Sequence, residues 1–260
     1  MRIISWNVNG VRAIGKRGFS QWVMDESPDI LCIQETKAHP GQLPPELLRP
    51  RDRDGASYFS YWASAKKPGY SGVALYSKRQ PRTAGTMGIP EFDDEGRVMQ
   101  ADFGDFTLIG AYFPNSQEGG ARLGYKLDFC RAMRELCDKL SAEGRRIILC
   151  GDYNIAHTPL DLAHPKENEG NPGYFPEERA WMDSFIRAGY ADTFRALHPG
   201  EAGQYTWWSY RSNARARNIG WRLDYHCVDP GFMPQVRNSI IRADVPGSDH
   251  CPVQLEIAIE

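Results

Sequence analysis

The sequence contains no uninterrupted apolar run near the roughly 20 residues that a membrane span needs, so no membrane-spanning helix is predicted. Its opening segment, MRIISWNVNG, lacks the basic, apolar and small-residue sections of a secretory signal. The chain as a whole has no excess of positive charge, because it contains 31 Lys and Arg residues and 33 Asp and Glu residues. These absences favour a cytoplasmic protein that is not, as a whole, a basic coat for nucleic acid.

Cysteine pairs of the CxxC type are absent too, although the chain has six cysteines. Several stand inside apolar runs, which predicts reduced core thiols rather than a disulfide framework. The histidines His157, His164 and His250 are not spaced like the ligands of a closed zinc site. Neither a Walker-type loop nor a GxSxG turn occurs, and no Ser or Cys nucleophile has an evident base partner. Any hydrolysis is therefore expected to use an activated water.

What the chain does contain is a series of short segments rich in Ile, Val and aromatic residues, a composition typical of β-strands. They predict strands over residues 3–6, 30–34, 73–77, 98–103, 106–113, 147–151, 223–228 and 253–259. Apolar residues at three- and four-residue steps predict helices over about 122–143, from Pro176 to Gly189, and over 19–26.

The arrangement of these segments limits the fold class. The 260 residues are 41% hydrophobic and show no repeat or low-complexity linker. A single domain over residues 1–260 is expected, although the length also permits two small domains. Because the strands are many and do not alternate strictly with helices, they favour an α/β fold of mixed sheets covered by helices, and two stacked sheets with helices outside would fit the length.

Carboxylate, amide and imidazole groups adjoin four chain-distant strand candidates. They are Asn7 with Asn9, Gln34 with Glu35, Asp152 with Asn154, and Asp249 with His250. Side chains two apart on an extended chain point the same way, so Asp152 and Asn154 can reach one site. A cluster of Glu35, Asp152 and Asp249 with the amides of Asn7 and Asn154 suits Mg²⁺ or Mn²⁺. Taken singly, each group has a plainer interpretation as a helix cap, turn residue or strand-end acid.

Two segments carry basic residues without acids. Residues 1–24 and residues 204–223 each contain four arginines or lysines, and in the second they are interleaved with Tyr and Trp. Basic side chains neutralise phosphates and aromatic faces stack on bases and sugars, so this pattern favours nucleic-acid binding. The alternative is a solvated charged face together with aromatic residues of the core.

A set of motifs resembles one known family in order and along nearly the whole chain. The motifs are SWNVNGVR (5–12), IQETK (33–37), GYSGVALYS (69–77), EGRV (95–98), AYFPN (111–115), CGDYNIAH (150–157), GWRLDY (220–225) and GSDHCP (247–252). The sequence thus resembles the exonuclease III type of apurinic/apyrimidinic (AP) endonuclease, within the endonuclease/exonuclease/phosphatase superfamily that includes DNase I. This resemblance implies a four-layer α/β sandwich of two packed mixed sheets between helices, with the active site at one end.

The resemblance also implies a reaction, the Mg²⁺-dependent hydrolysis of the phosphodiester 5′ to an abasic site in double-stranded DNA. The family further includes 3′→5′ exonuclease and 3′-phosphodiesterase activities, whose balance the sequence does not fix. Among the implied catalytic residues, Asp152 deprotonates the water and Asn154 orients it. His250 is an imidazolium paired with Asp224, and Tyr112 contacts the phosphate. The implied metal ligands are Glu35, Asn7 and Asp249, with Asp152 and Asn154 beside them.

By the same resemblance, an apolar pocket admits the flipped-out abasic sugar. Trp207, Trp221 and Leu223 are the implied lining of that pocket. The implied contacts with the duplex around it are Asn168, Asn171, Arg12, Lys16, Tyr70, Asn115 and Arg211. The sequence shows no obvious coiled coil, and we expect a monomer because one enzyme suffices to grip one kinked duplex.

At four positions the sequence departs from some relatives. Asn9 stands where some carry an aspartate, which removes one carboxylate from the expected metal site. His164 replaces an asparagine, Glu118 replaces a basic residue, and Arg211 replaces an apolar one. Glu118 is expected to weaken the grip on DNA at its side, and Arg211 to compensate.

Two other functions use the same residues. One is a phosphodiesterase or phosphatase of the superfamily that acts on a small phosphorylated substrate, which would not need the Arg- and Trp-rich segment 204–223. The other is a DNA-binding relative that has lost activity, against which the complete set of catalytic residue types argues.

Overall fold

The computed structural model describes residues 1–259. The strands are β1 (Arg2–Asn7), β2 (Ile30–Gln34), β3 (Phe59–Ala63), β4 (Val73–Ser77), β5 (Thr83–Gly85), β6 (Val98–Asp102), β7 (Thr107–Tyr112), β8 (Ile147–Asp152), β9 (Ala191–Asp192), β10 (Asp224–Val228), β11 (Val236–Ile241) and β12 (Val253–Ile257). The α-helices are α1 (Val11–Gly15), α2 (Phe19–Glu26), α3 (Pro45–Leu48), α4 (Pro90–Asp93), α5 (Leu123–Ala142), α6 (Pro176–Arg187) and α7 (Thr193–Leu197).

The strands form two six-stranded sheets. The first has the order β11-β12-β1-β2-β4-β3 and the second β5-β6-β7-β8-β10-β9. Each is mixed, since β1 with β2 and β7 with β8 are parallel while the neighbouring pairs are antiparallel. The predicted class of two mixed sheets is therefore confirmed.

The two sheets pack face to face through one apolar layer. It holds Ile3, Cys32 and Leu75 from the first sheet and Leu108 and Cys150 from the second. At Gly110 the sheets approach so closely that a Cβ would lie 2.1 Å from the sulfur of Cys32, which excludes any larger residue there. This layer fixes the position of every strand end relative to the opposite sheet.

Helices cover both outer faces. On the second sheet, α5 and α6 bury Phe129, Met133 and Phe185 against Leu149. On the first sheet, α1, α2 and α3 bury side chains such as Phe19 against Trp6 and its neighbours. A helix buries its apolar face in this way because residues at three- and four-residue steps share one side. The result is the expected sequence of four layers, helix, sheet, sheet and helix.

Several boundaries differ from those predicted. The last strand ends at Ile257 rather than 259, β10 begins at Asp224 rather than Leu223, and the helix from Pro176 ends at Arg187 rather than Gly189. Among residues 1–259, every helix is too short or too polar to cross a bilayer.

Candidate active site

Side-chain alternation explains why polar groups from both sheets meet in one place. In β1, Ile3 faces the layer between the sheets, so Asn7 four residues later faces it too. In β8 the same rule carries Asp152 to the side of Cys150. Register places Tyr112 of β7 and Asp224 of β10 directly beside Asp152. The apolar layer therefore ends in a polar pit built from both sheets.

The pit is a cavity of about 220 Å³. Its lining combines the polar strand-end residues with an aromatic wall: Glu35, Tyr112, Asn115, Asp152, Asn154, Pro172, Gly173, Trp207, Trp221, Leu223, Asp249 and His250. Most of these residues are ones that the sequence singles out, and they come from segments far apart in the chain.

Asn7 connects the two sheets at the floor of the pit. Its Nδ2 donates to Glu35 Oε1 and to Asp152 Oδ2, at 2.9 Å in each case. Its Oδ1 accepts from the backbone N–H of Asn9 at 3.0 Å, which fixes the orientation of the amide. Asn7 thus presents its nitrogen to the carboxylates, and its oxygen is engaged elsewhere.

Lys37 and Asn9 connect the carboxylates of Glu35 and Asp249. Lys37 Nζ lies 2.7 Å from Glu35 Oε2 and donates to Asn9 Oδ1 at 2.5 Å. Asn9 Nδ2 in turn donates to Asp249 Oδ1 at 3.0 Å, a bond that an ionised aspartate at position 9 does not make. Burial raises the pKa of Glu35, but Lys37 and Asn7 outweigh burial and lower it. Glu35 is therefore ionised at neutral pH.

His250 and two aspartates form the buried centre of the site. The Nδ1 of His250 lies 2.8 Å from Asp224 Oδ2, and its Nε2 lies 3.8 Å from Asp152 Oδ2. Burial alone would lower the pKa of His250, but Asp224 and then Asp152 outweigh it and raise the pKa to about 10. The imidazole is therefore a cation at neutral pH, with Nδ1–H fixed on Asp224.

At Asp152 the effect of burial on the pKa outweighs the effect of the neighbouring charge. Burial, against the opposing effect of His250, raises its pKa to about 7. Its Oδ1 accepts from the backbone N–H of Asn154 at 2.8 Å, and Asn154 Nδ2 lies 3.3 Å from Oδ2. Asn154 adopts a left-handed conformation with φ of 51°, which turns the chain so that its amide returns to Asp152. A carboxylate with a pKa near neutrality can accept a proton from water.

Tyr112 stands at the edge of the pit over a buried guanidinium. Burial, with the charges of Glu35 and Asp152, raises the pKa of Tyr112 well above its ordinary value, so the phenol stays protonated. The guanidinium carbon of Arg97 lies 5.1 Å from the ring centroid, and Arg97 also donates to the Tyr112 carbonyl at 3.0 Å. The EGRV motif thus supplies a support for Tyr112.

Trp207 and Trp221 form the aromatic wall of the pit. Their rings meet edge to face, with centroids 6.4 Å apart and an interplanar angle of 85°. Trp207 Nε1 donates to Asp249 Oδ2 at 3.2 Å, which ties the wall to the polar rim. Both rings are only partly buried, and Leu223 packs behind them. Core packing alone therefore does not account for the two tryptophans.

The rest of the Arg- and Trp-rich segment 204–223 is largely structural. Arg222 is fully buried and pairs with Asp161 and Asp192 at 2.7 Å each. Arg215 donates to carbonyl oxygens of the loop before β12 and lies 4.7 Å from the Trp208 ring, which is buried. The plainer interpretation thus holds for these residues, while Arg211 stays exposed.

Of the remaining residues implied as DNA contacts, Asn115 lines the pit, and Arg12 and Lys16 line a separate cavity. Asn115 donates to Asn154 Oδ1 at 3.2 Å, while Tyr70 accepts from Arg97 at 2.9 Å and from Arg122 at 2.7 Å. Two asparagines stabilise the loop before Pro172, because Asn168 donates to loop carbonyls and accepts from Asn171. Two basic residues are exposed on α1 and in the turn after it, Arg12 and Lys16.

Two sets of side chains that line the pit or lie beside it are candidates for holding a metal ion. Ligand atoms of Asp152, Asp224 and His250 lie within 4.8 Å of one another. However, a histidine ligand must be neutral, and His250 is held as a cation. Glu35 and Asp249 are both ionised, because their neighbours lower their pKa values despite burial. Their oxygens match a hard divalent cation better.

Sequence reasoning missed several residues that support the site. Lys37 and Arg97 lie inside quoted motifs, but their partners are distant in the chain and cannot be seen there. Lys126 is fully buried and contacts Asn154. It does have a signal, since it falls three residues after Leu123 and four before Cys130 on the apolar face of α5.

Two packed mixed sheets whose shared end holds carboxylates, amides and a charged imidazole are suited to the hydrolysis of phosphate esters by water. Residues 4–250 match the Endonuclease/Exonuclease/phosphatase family, and the chain belongs to that family. It is therefore a phosphodiesterase-type hydrolase.

Particular relatives narrow this class. The chain is 43% identical to the exodeoxyribonuclease of Bacillus subtilis (strain 168), over 100% of both chains. It is also 43% identical to the DNA repair nuclease APEX1 of Danio rerio, over 100% of this chain and 83% of that one. Among solved structures, the AP endonuclease LMAP of Leishmania major superposes with a TM-score of 0.86 at 31% identity, covering 100% of this chain and 88% of that one. The predicted family is confirmed.

Proposed function

We propose that the protein is a Mg²⁺-dependent AP endonuclease that hydrolyses the phosphodiester 5′ to an abasic site in double-stranded DNA and leaves a 3′-hydroxyl. The observation that carries this proposal is the position of Asp152, which contacts Asn7, Asn154 and His250 and lines one pit with Trp207 and Trp221. One cavity thus combines a base for water with an apolar wall for a sugar. Relatives named as a repair nuclease and as AP endonucleases support the same reaction.

Asp152 would orient the attacking water and accept its proton. A pKa of about 7 allows this carboxylate to be deprotonated before attack and still basic enough to take the proton. The side-chain amides of Asn7 and Asn154 both donate to Oδ2, and the backbone N–H of Asn154 donates to Oδ1, so the orientation of the carboxylate is fixed. Fixed geometry of this kind lowers the entropic part of the barrier.

His250 would donate from Nε2 to a non-bridging phosphate oxygen. Because Asp224 holds Nδ1–H at 2.8 Å, the ring orientation is fixed and Nε2–H is directed into the pit. A buried cation at this point opposes the charge that accumulates on phosphorus oxygens during attack. Tyr112, which stays protonated, would donate to the phosphate from the neighbouring strand.

Glu35 and Asp249 would hold the cation, Mg²⁺ or Mn²⁺. Both are ionised and line the same cavity as Asp152, and their oxygens are the ligands that a hard cation prefers. Asn7 supports Glu35 by donating to Oε1, with its own oxygen engaged by Asn9. When bound, the ion would neutralise phosphate charge and charge on the leaving oxygen.

The wall of Trp207, Trp221 and Leu223 would select the abasic nucleotide. A sugar without its base can enter a small apolar pocket that an intact nucleotide is too large to occupy. The duplex would be held by exposed side chains, namely Arg12, Lys16, Asn115 and Arg211, together with Tyr70, Asn168 and Asn171. We expect one copy of the chain, acting as a single domain, to bind one duplex.

A duplex with one tetrahydrofuran abasic analogue tests the proposal, with an identical intact duplex as control. We expect a nick immediately 5′ to the analogue in Mg²⁺, none in EDTA and none in the intact duplex. Binding without a nick would support an inactive relative, and cleavage of only small phosphate esters would support a phosphatase. Release of 3′-terminal nucleotides in the same assay would show the exonuclease activity for which the Bacillus subtilis relative is named.

A further inference from the structure

A buried ion pair lies directly behind the pit. Lys126 of α5 and Glu178 of α6 are both fully buried, with Nζ 2.8 Å from Oε1. The same Nζ donates to the backbone carbonyl of Asn154 at 2.5 Å. We propose that Lys126, with Glu178, is a positioning residue that fixes Asn154 for the hydrolysis, an inference that rests on the proposed function.

The Lys126–Glu178 pair connects Asn154 to two other segments of the chain, at Ser116 and at Phe175. Glu178 accepts from the Ser116 hydroxyl and, at 2.9 Å, from the backbone N–H of Phe175. Ser116 directly follows Asn115, whose Nδ2 donates to Asn154 Oδ1 at 3.2 Å. Lys126 therefore holds the main chain of Asn154. Glu178 holds the loop at Ser116, and the neighbouring Asn115 amide contacts the Asn154 side chain.

The position of the Asn154 side chain depends on its backbone conformation. Its φ of 51° belongs to the left-handed region, which few residues other than glycine adopt, although asparagine enters it more readily than most. In that conformation its Nδ2 donates to the Phe113 carbonyl at 3.0 Å and reaches Asp152. A carbonyl held by an ammonium keeps the turn from relaxing, so the side-chain amide stays on the catalytic carboxylate.

The location of Lys126 is unfavourable for stability alone. It lies in the first turn of α5, where the helix dipole disfavours a positive charge, and on the apolar face between Leu123 and Cys130. A buried ion pair is often no more stabilising than an apolar pair of the same size, because both charges lose their hydration. The pair is thus better explained by what it holds than by its own energy.

The test separates position from stability. Lys126→Met alone leaves Glu178 buried and unpaired, so the main variant is Lys126→Met/Glu178→Gln, which removes both charges and keeps an acceptor for Phe175. Lys126→Arg keeps a charged donor and serves as the rescue. Lys139→Met, an exposed lysine on the same helix, is the matched control. Each protein is assayed for kcat and KM on the tetrahydrofuran duplex, for Tm, and for the Asn154 backbone and side-chain amide resonances by ¹⁵N NMR.

We expect the double variant to keep a Tm close to that of the unmodified protein and KM close to its value, while kcat falls about 10- to 100-fold, as for other supporting partners of catalytic groups. The Asn154 amide resonances should shift or broaden, and Lys126→Arg should recover most of the kcat. A double variant with unchanged kcat and unchanged Asn154 resonances would overturn the proposal. Should that variant not fold, Lys126→Leu/Glu178→Gln, which likewise removes both charges and the donor to Asn154, undergoes the same measurements with the same two outcomes.

The resonances also keep this proposal separate from the proposed function. If the unmodified protein does not cleave the abasic duplex, the proposed function fails, yet the Asn154 signals still decide whether Lys126 holds that residue. Shifted signals would then support the structural part, and unshifted signals would overturn it.

Discussion

Replacing Asp224 tests how the site keeps His250 charged. Asp224→Asn keeps the size of the side chain and an oxygen for the Nδ1–H of His250, but it removes the negative charge 2.8 Å away. Burial then opposes the imidazolium, with Asp152 at 3.8 Å as the nearest remaining carboxylate. The perturbation therefore changes electrostatics while the geometry is largely kept.

The size of the effect follows from the distances. An opposite charge within hydrogen-bond distance shifts a pKa by about 1–3 units, which corresponds to about 1.4–4 kcal/mol of stabilisation of the charged form. Since the pKa of His250 is raised to about 10, we expect the variant to titrate between roughly 7 and 9. At pH values above the pKa of His250 the imidazole is neutral, and kcat/KM should fall about tenfold per pH unit.

The assay is the pH profile of kcat/KM on the abasic duplex, with Mg²⁺ saturating at each pH. The alkaline limb of the variant should begin at least one unit, roughly, below that of the unmodified protein, while the two rates approach each other near pH 6. Superimposable alkaline limbs would refute the account of His250. Direct ¹⁵N titration of the His250 ring provides an independent value.

The ion pair of His250 and Asp224 should also make the stability of the protein depend on pH. The folded pKa of His250 lies above the unfolded value of about 6.5, so its contribution is fully present below pH 6.5, roughly, and is lost as pH rises through about 10. The difference in Tm between the unmodified protein and Asp224→Asn should therefore be larger at pH 6 than at pH 10. A difference that grows with pH would contradict the sign of the linkage.

Three further predictions follow from the site and its supports. Trp221→Ala should weaken binding of the abasic duplex more than binding of the intact duplex, and equal losses in a competition assay would remove the pocket argument. Because burial raises the pKa of Asp152 to about 7, kcat/KM should rise as pH increases through about 7, whereas a flat profile from pH 5 to 8 would count against its role as base. Arg222→Met leaves Asp192 buried without its cationic partner and leaves Asp161 with Arg195 alone, so urea denaturation should show a loss of about 3–5 kcal/mol, and unchanged stability would contradict the role of these buried ion pairs.

The strands that the sequence did not predict share one position in the fold. They are β3, β5, β9 and β11, and each lies at an edge of its sheet. Edge strands are paired on one side and partly exposed, so their residues need not be apolar. Phe59 of β3 is 42% exposed, and β9 consists of Ala191 and Asp192 alone. Central strands such as β8 are buried throughout, which is why their apolar runs are visible in the sequence.

The convergence of the site was predictable for a related reason. Largely apolar runs mark β1 and β8 as buried strands, and the polar residues that end these runs are Asn7 and Asp152. Which charges pair was not predictable, because Arg222 meets Asp161 and Asp192 across 61 and 30 residues. A basic segment of sequence therefore overstated the basic surface of the folded protein.

Cleavage by Asp152→Asn measures most directly whether this pit hydrolyses DNA. Under single-turnover conditions with Mg²⁺ and a tetrahydrofuran duplex, we predict a rate at least roughly 10²-fold below that of the unmodified protein, with the duplex still bound, since the substitution removes the base and keeps the shape. Cleavage at nearly the unmodified rate would contradict the account, because the group joined to both sheets would then play no part in activating water.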